Sequence, residues 1–331
     1  MPPNPEPSTD TIPTTATALS PASIGNVAVG YDVLGGAFDA VHDRVRIERI
    51  DHPTVEIGSI TGCVTELPRQ PKANTATVGL LALLADRDLP YGFRVHIHKG
   101  IPLSSGMGGS AASAVAALKA AQVLIDPPLT DDQVLHYALL GEKVASGALH
   151  GDNVVPMVYG GVVLTRSIDP IDVVPIPVPE GLHAALAHPH MQISTRSARA
   201  VLPEAVPVPI AVQQSANLAA LVAGCAQNNL PLIGRSLHDV MIEPHRAQLI
   251  PGFAAVQAAA RDAGALGGSI SGAGPSVFAW CPDEATAQRV GTAMRRAFAT
   301  EDLDAEDLDA DIWTAPVDSA GAKRIEASEE M

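Results

Sequence analysis

The chain has 331 residues, 47% of them hydrophobic and only 3% aromatic, which is enough for two domains whose cores are built mainly from small apolar side chains. Its formal charge of −15, from 36 acidic against 21 basic residues, works against nonspecific binding to nucleic acid or to an anionic membrane surface; a small anionic ligand would need basic residues gathered locally. Cys63, Cys225 and Cys281 are odd in number and far apart, which argues against a disulfide framework or structural zinc and reads as three reduced core thiols of a cytoplasmic protein.

In chain order, residues 1–16 are rich in Pro and Thr and read as a disordered tail. They lack the basic start and apolar stretch of a signal peptide. No uncharged apolar run is expected to approach the roughly 20 residues of a membrane span. The segment "KANTATVGLLALL" reads as a helix with Asn74 at its start, "FRVHIHK" alternates like a half-buried strand, and "GSAASAVAALKAAQVL" reads as a helix packed closely through its alanines. Thr130 and Gln133 have the spacing of a capping box for the helix "DDQVLHYALLGEKVAS". Next, "VVPMVYGGVVLTR" reads as buried strand, and the Pro-rich "DPIDVVPIPVPEGLH" as the passage between domains.

Beyond it the reading gives a strand at "HAALAHP", helical segments at 196–202, 211–227, 230–247 and 253–263, a glycine turn before strand "SVFAW", and a helix over 284–298. The acidic run "EDLDAEDLDAD" reads as a solvated connection, since it lacks the glycine turn of a calcium loop.

The stretch "IPLSSGMGGSAAS" between strand and helix is built to let a ligand approach the backbone, and free N–H groups at a helix start favour an anion. A Walker loop needs Lys followed by Ser or Thr after its last glycine, whereas Gly109 is followed by Ser110 and Ala111. Gly106, Gly108 and Ala111 satisfy the dinucleotide fingerprint, but the preceding strand alternates Arg94, His96, His98 instead of being continuously apolar.

A third reading fits several segments at once. The loop "PLSSGMGGSAA" resembles the second motif of the GHMP kinase family, "SPASIGNVAVGYDVLGGAFD" its first motif, and "SISGAGPSVFAW" its third. "HGDNVVPMVYGGVVL", "ISTRSARAVLP", "EPHRAQLIPGF" and "VDSAGAKRI" are similar to segments of the homoserine kinases within that family. The resemblance spans about residues 17–325 in the family's order. It implies an α+β two-domain GHMP kinase fold: an N-terminal α/β domain with a left-handed βαβ crossover over 17–168, and a ferredoxin-like C-terminal domain over 169–325 whose last strand returns to the first domain. The implied activity is ATP-dependent phosphorylation of the homoserine side-chain hydroxyl, with ATP and Mg²⁺ as cofactors and a homodimer as the assembly. Another phosphotransferase of the family, acting on an isoprenoid precursor or a sugar, is the alternative, as is a silent ligand sensor.

The resemblance also assigns residues. Pro102, Leu103, Ser104, Ser105, Gly106, Met107, Gly108, Gly109, Ser110, Ala111 and Ala112 would wrap the ATP phosphates, and Asn74 would contact adenine unless it caps its helix. Ser110 and Glu142 would ligate Mg²⁺. Gly109 replaces a family serine, and phosphate affinity is where its loss should be felt. For the substrate, Arg199 and Arg246 would take the carboxylate beside an N-capping Thr195; Asn26 and Asp32 would take the amino and hydroxyl groups, with His150, Asn153 and Gly274 lining the same pocket. The position where several GHMP kinases carry an aspartate base holds Asn153, which cannot accept a proton, so catalysis would rest on Asn153, Glu142 and Ser110 through alignment and charge stabilisation.

Overall fold

The computed structural model describes residues 12–146, 150–300 and 308–326. Most of the Pro-rich start, and the acidic run through residue 307, lie outside them. Thr15 and Ala16, read from sequence as tail, already belong to the first strand.

The chain begins with β1 (Thr15–Gly25) and β2 (Leu34–Ile50), paired antiparallel with a register break between Pro21 and Ala22. Strand β3 (Val55–Gly62), helix α1 (Thr75–Arg87) and strand β4 (Gly92–Lys99) form a βαβ unit with β3 parallel to β4. Helix α2 (Gly109–Ala121) follows, and ten of its thirteen residues are buried; its alanines let α1, α3 (Asp131–Ser146), β1 and β2 approach on all sides. The capping box forms as read, with Thr130 and Gln133 exchanging bonds at 3.0 and 3.3 Å.

Residues read as one buried strand divide into helix α4 (Val154–Tyr159) and strand β5 (Val162–Ile168). Five of the six α4 residues are buried, so no period shows in the sequence, and Pro156 sits in the first turn, where its missing N–H removes no helical bond. Gly160 and Gly161, at φ 80° and 60°, make the break. The Pro-rich segment is also no simple linker. Strand β6 (Ile171–Ile176) pairs with β5 and extends the first sheet as an edge strand, the place where Pro175 removes no bond to a further strand. The passage to the second sheet therefore follows Ile176.

The second sheet uses β7 (His183–Pro189), then helices α5 (Thr195–Ala200), α6 (Val208–Ala226), α7 (Leu230–Ser236), α8 (Glu243–Arg246) and α9 (Phe253–Asp262), then β8 (Gly267–Ile270), β9 (Val277–Cys281), α10 (Glu284–Thr300) and β10 (Ala310–Pro316). Its strand order β10-β7-β9-β8, all antiparallel, is the ferredoxin-like arrangement. The last strand, β11 (Lys323–Ile325), returns to pair with β1.

The helix read over 230–247 is broken after Ser236 because the Asp239 carboxylate accepts from the N–H groups of Met241, Ile242 and Glu243 at 2.8, 3.0 and 2.9 Å, starting α8 afresh. Helix α6 corrects a second expectation: it is 19 residues long, uncharged, and apolar enough by length and composition to cross a membrane. Here it packs on protein, with Gln214 donating to the Val29 carbonyl at 3.0 Å and Asn217 to that of His238 at 2.7 Å. Cys225 and Cys281 are buried thiols as expected, but Cys63 is exposed at the end of β3, where the sheet gives way to a loop.

Candidate active site

The three glycine-containing motifs converge between the sheets. Ser104, Gly106 and Gly108 take left-handed backbone at φ 52°, 78° and 70°, coiling the loop onto the start of α2. A Cβ at Gly108 would lie 2.5 Å from Ser23 Oγ and 3.0 Å from Asn153 Oδ1, so only glycine fits there. The third motif clasps the loop: Ser271 Oγ donates to the Gly106 carbonyl at 2.8 Å and the Ser276 N–H to that of Ser105 at 3.2 Å. Gly272 N–H reaches the Gly25 carbonyl at 3.1 Å, joining the first motif.

This loop forms one wall of a cavity of about 580 Å³, lined by Leu103, Ser104, Ser105, Gly106, Gly108, Gly109 and Ser110 from the loop. Gly108 caps α2 with no side-chain bond, so the first N–H groups of the helix have no side-chain acceptor and carry its positive dipole end. Met107, Ala111 and Ala112 instead turn into the core with no exposed surface, and Pro102 is not in the cavity wall; these four shape the loop from behind.

Beneath the loop lies a pair the sequence reading missed. Lys99 is 3% exposed, its ammonium bonded to the Asp43 carboxylate, the Gly109 carbonyl at 2.6 Å and Ser113 Oγ at 3.0 Å. Asp43 in turn accepts from the Gly100 and Ile101 N–H groups at 3.1 and 3.2 Å. The loop thus has its lysine, but as an anchor that pulls a carbonyl inward and leaves the helix N–H groups facing the cavity.

Across the cavity, Ser110 Oγ donates to Glu142 Oε2 at 2.8 Å. Burial holds the Glu142 carboxyl above its ordinary value, against the lowering effect of that bond. A desolvated carboxylate beside a hydroxyl is a hard oxygen donor pair suited to Mg²⁺, which takes few protein ligands and completes its shell with phosphate oxygens and water.

A second, smaller cavity of about 50 Å³ adjoins the first and shares Glu142, Asn153, Thr195, Gly272 and Ala273 with it. Asn26 and Asp32 sit on a left-handed turn, φ 67° and 59°, with Asn26 Oδ1 accepting from the Asp32 N–H at 3.0 Å and its amide donating to the Gly272 carbonyl at 2.9 Å. Arg199 grips the Asp32 carboxylate with both ends of its fork, at 2.8 and 3.2 Å, and donates to Tyr31 Oη at 2.6 Å. Arg246 is 3% exposed and donates to the Gly272 and Ala198 carbonyls at 2.9 and 3.1 Å. Both guanidinium groups flank the Tyr31 ring, at 5.5 and 5.2 Å. The His150 Nε2 and Arg199 Nε atoms are buried here with no hydrogen-bond partner in the protein, as polar atoms of a ligand pocket are.

Several assignments change. Arg199 is paired with Asp32 and does not stand free beside Arg246, because the carboxylate is the nearest anion available to it. Ser194, not Thr195, caps α5 by accepting from the Ser197 N–H at 3.0 Å, and Thr195 is free to line both cavities. Asn74 is the cap of α1: its oxygen accepts from Ala76 N–H at 3.1 Å and its amide donates to the Pro68 carbonyl at 2.8 Å, so both functions are engaged in the fold and it does not line the cavity. Gly274 is directed at Ile250 and Ile270; Gly272 and Ala273 are the members of that motif in the wall. Asn153 Oδ1 accepts from Ser23 Oγ at 2.7 Å.

Asp152 also lines the smaller cavity and is pushed up to about 7, first by burial and then by the charges of Asp32 and Glu142. Three carboxyls facing one pocket favour a cation or a proton there.

The comparisons with known proteins agree with this architecture. Residues 74–161 match the model of the GHMP kinases N terminal domain and residues 218–300 that of the GHMP kinases C terminal domain. The chain is 49% identical over 310 residues to a homoserine kinase of Xylella fastidiosa, covering 94% of each chain, and 46% identical over 321 residues to one of Chlorobium phaeobacteroides, covering 94% of this chain and 99% of the relative. A crystal structure of homoserine kinase from Cytophaga hutchinsonii superposes with a TM-score of 0.91 at 40% identity, over 97% of this chain and 100% of that one. The fold, the convergence of the three motifs and these likenesses together place the chain in the homoserine kinase branch of the GHMP kinase family.

Proposed function

We propose that the protein is a kinase that transfers the terminal phosphoryl group of ATP to the side-chain hydroxyl of L-homoserine, giving O-phospho-L-homoserine and ADP on the route to threonine. The observation that carries the reading is the shared wall of the two cavities: Glu142, Asn153, Thr195, Gly272 and Ala273 stand where a phosphate pocket and an amino-acid pocket meet. The loop over 103–110 and the α2 N–H groups cradle the triphosphate, and Lys99 keeps that surface formed. Ser110 and Glu142 would hold Mg²⁺, which would supply charge neutralisation for the transferred phosphoryl group. Arg246, Thr195 and the unpartnered Nε of Arg199 take the substrate carboxylate, while Asp32, held by the rest of the Arg199 fork, and Asn26 take its ammonium and orient its hydroxyl, with His150 as a further partner.

The proposed division of the chain follows the sheets, with the ATP-binding part running through β6 and regaining β11, and the second part built on β7 to β10. A cytoplasmic location rests on the three cysteines read as reduced thiols, and a homodimer is carried over from the family resemblance. A phosphoryl transfer of this kind runs through a loose transition state, so alignment and charge stabilisation supply most of the rate without a strong base. An ADP-release assay across homoserine, mevalonate and galactose tests the substrate: turnover confined to either of the last two overturns it. Binding of ATP and homoserine without ADP formation in excess Mg²⁺ would favour the sensor reading.

A further inference from the structure

The face of the first sheet opposite its helices carries a cavity of about 160 Å³ that shares no residue with either active-site cavity. Val45, Ile47, Val95 and Ile97 point into the core, so the alternating Arg44, Arg46, His96 and His98 stand together on the other side. Strand register sets Arg44 opposite His98 and Arg46 opposite His96, with Ser59 and Thr61 opposite the same histidines on β3. Among the described residues no carboxylate lines the cavity.

We propose that this cavity binds a small phosphate-type oxyanion, either inorganic phosphate or the phosphate group of a monoester. Glu48 bonds Arg46 at 2.6 Å and lies 3.6 Å from His96 and 3.9 Å from Arg94, and Glu56 bonds Arg94 at 3.2 Å. These carboxylates stand at the rim, and none lines the cavity itself. Both imidazole rings are fixed by neighbouring hydroxyls, with His96 Nδ1 3.0 Å from Ser59 Oγ and His98 Nδ1 3.1 Å from Thr61 Oγ1. His96 Nε2 is buried without a hydrogen-bond partner. Two guanidinium forks, two imidazoles and flanking hydroxyls match the several acceptor oxygens of a tetrahedral anion, whereas a carboxylate would satisfy fewer of them.

The test is NMR of the imidazole C–H resonances, assigned with His96→Gln and His98→Gln, on full-length protein whose phosphate loop is filled with saturating AMP-PNP and Mg²⁺. Inorganic phosphate and O-phosphoserine are titrated separately at constant ionic strength against chloride. The expected result is a saturable shift of both resonances in the millimolar range, weakened by about tenfold or more in Arg44→Gln/Arg46→Gln, a variant that keeps wild-type kinase activity and melting temperature. Saturation with both probes names the phosphate group itself as the ligand, and saturation with O-phosphoserine alone names a monoester. Shifts no larger than those given by chloride, or unchanged affinity in the double variant, overturn the proposal. So does a dimer, stable without phosphate, that covers these histidines.

Discussion

The Ser110 hydroxyl and the Glu142 carboxylate meet at 2.8 Å from two helices 32 positions apart in the chain. Each is unremarkable alone, and together they form the only hydroxyl-carboxylate bond among the described residues that faces the phosphate cavity. Glu142→Gln keeps the shape and removes the charge, and is expected to lower kcat by about a thousandfold, the scale of losing one electrostatic stabiliser of a transition state. Chelation of Mg²⁺ should silence the wild type and leave nothing further to lose in the variant. Steady-state kinetics over a Mg²⁺ titration checks both.

Burial and the charges of Asp32 and Glu142 push the Asp152 carboxyl up to about 7. Because the folded state keeps that proton while the unfolded chain releases it near 3.8, folding binds the proton throughout the interval between them. The sign follows: stability falls as pH rises from 3.8 to about 7, and Asp152→Asn removes this loss. Melting curves of the ligand-free proteins should show the variant gaining on the wild type across that window. Turnover of Asp152→Asn should stay within about a hundredfold of wild type, below the usual contribution of a general base. A loss as large as that of Glu142→Gln would make Asp152 the base.

Lys99→Met leaves Asp43 buried without its cation, which costs about 3–5 kcal/mol of stability. Its kinetic signature should be a raised KM for ATP with an unchanged KM for homoserine, since the Gly109 carbonyl it holds belongs to the phosphate loop. Adding Asp43→Asn should return part of the melting temperature, because the amide oxygen still accepts from Gly100 and Ile101 and no charge is stranded. If both KM values rise together, the lysine serves general stability and not the loop.

Gly109 is set against the anchor beneath the loop. A Cβ there would meet Ile101 Cγ2 at 3.2 Å and Lys99 Nζ at 3.5 Å, so a serine at this position turns toward the lysine and away from the phosphates. Gly109→Ser should therefore change the ATP affinity by less than about tenfold, the range of a single hydrogen bond. Isothermal titration with AMP-PNP measures it, and a larger gain would show that the missing hydroxyl belongs to the nucleotide.

Much of this site was legible because its residues sit in local patterns. The glycines at 106 and 108, Ser110 in the first turn of a helix, and the arginines at 199 and 246 all lie in short motifs. What escaped were pairings between distant strands. Yet Lys99 stands in phase with Val95 and Ile97, and Asp43 with Val45 and Ile47, so period two alone places a lysine and an aspartate on the core side of two strands. That signal could have predicted the buried pair. Tyr31, adjacent to Asp32, gave no such hint; its role depends on two arginines arriving from other helices. The short helix α4 and the edge strand β6 were misread because complete burial hides the period in one and prolines mimic a linker in the other.

Phosphoryl transfer to homoserine can be watched directly by ³¹P NMR of purified protein incubated with ATP, Mg²⁺ and L-homoserine, with Glu142→Gln in parallel. In the wild type a phosphate monoester resonance of O-phospho-L-homoserine should grow in step with ADP, and in the variant it should be nearly absent. ADP formation without that resonance, or a monoester that forms only when mevalonate or galactose replaces homoserine, would contradict the assignment of the substrate.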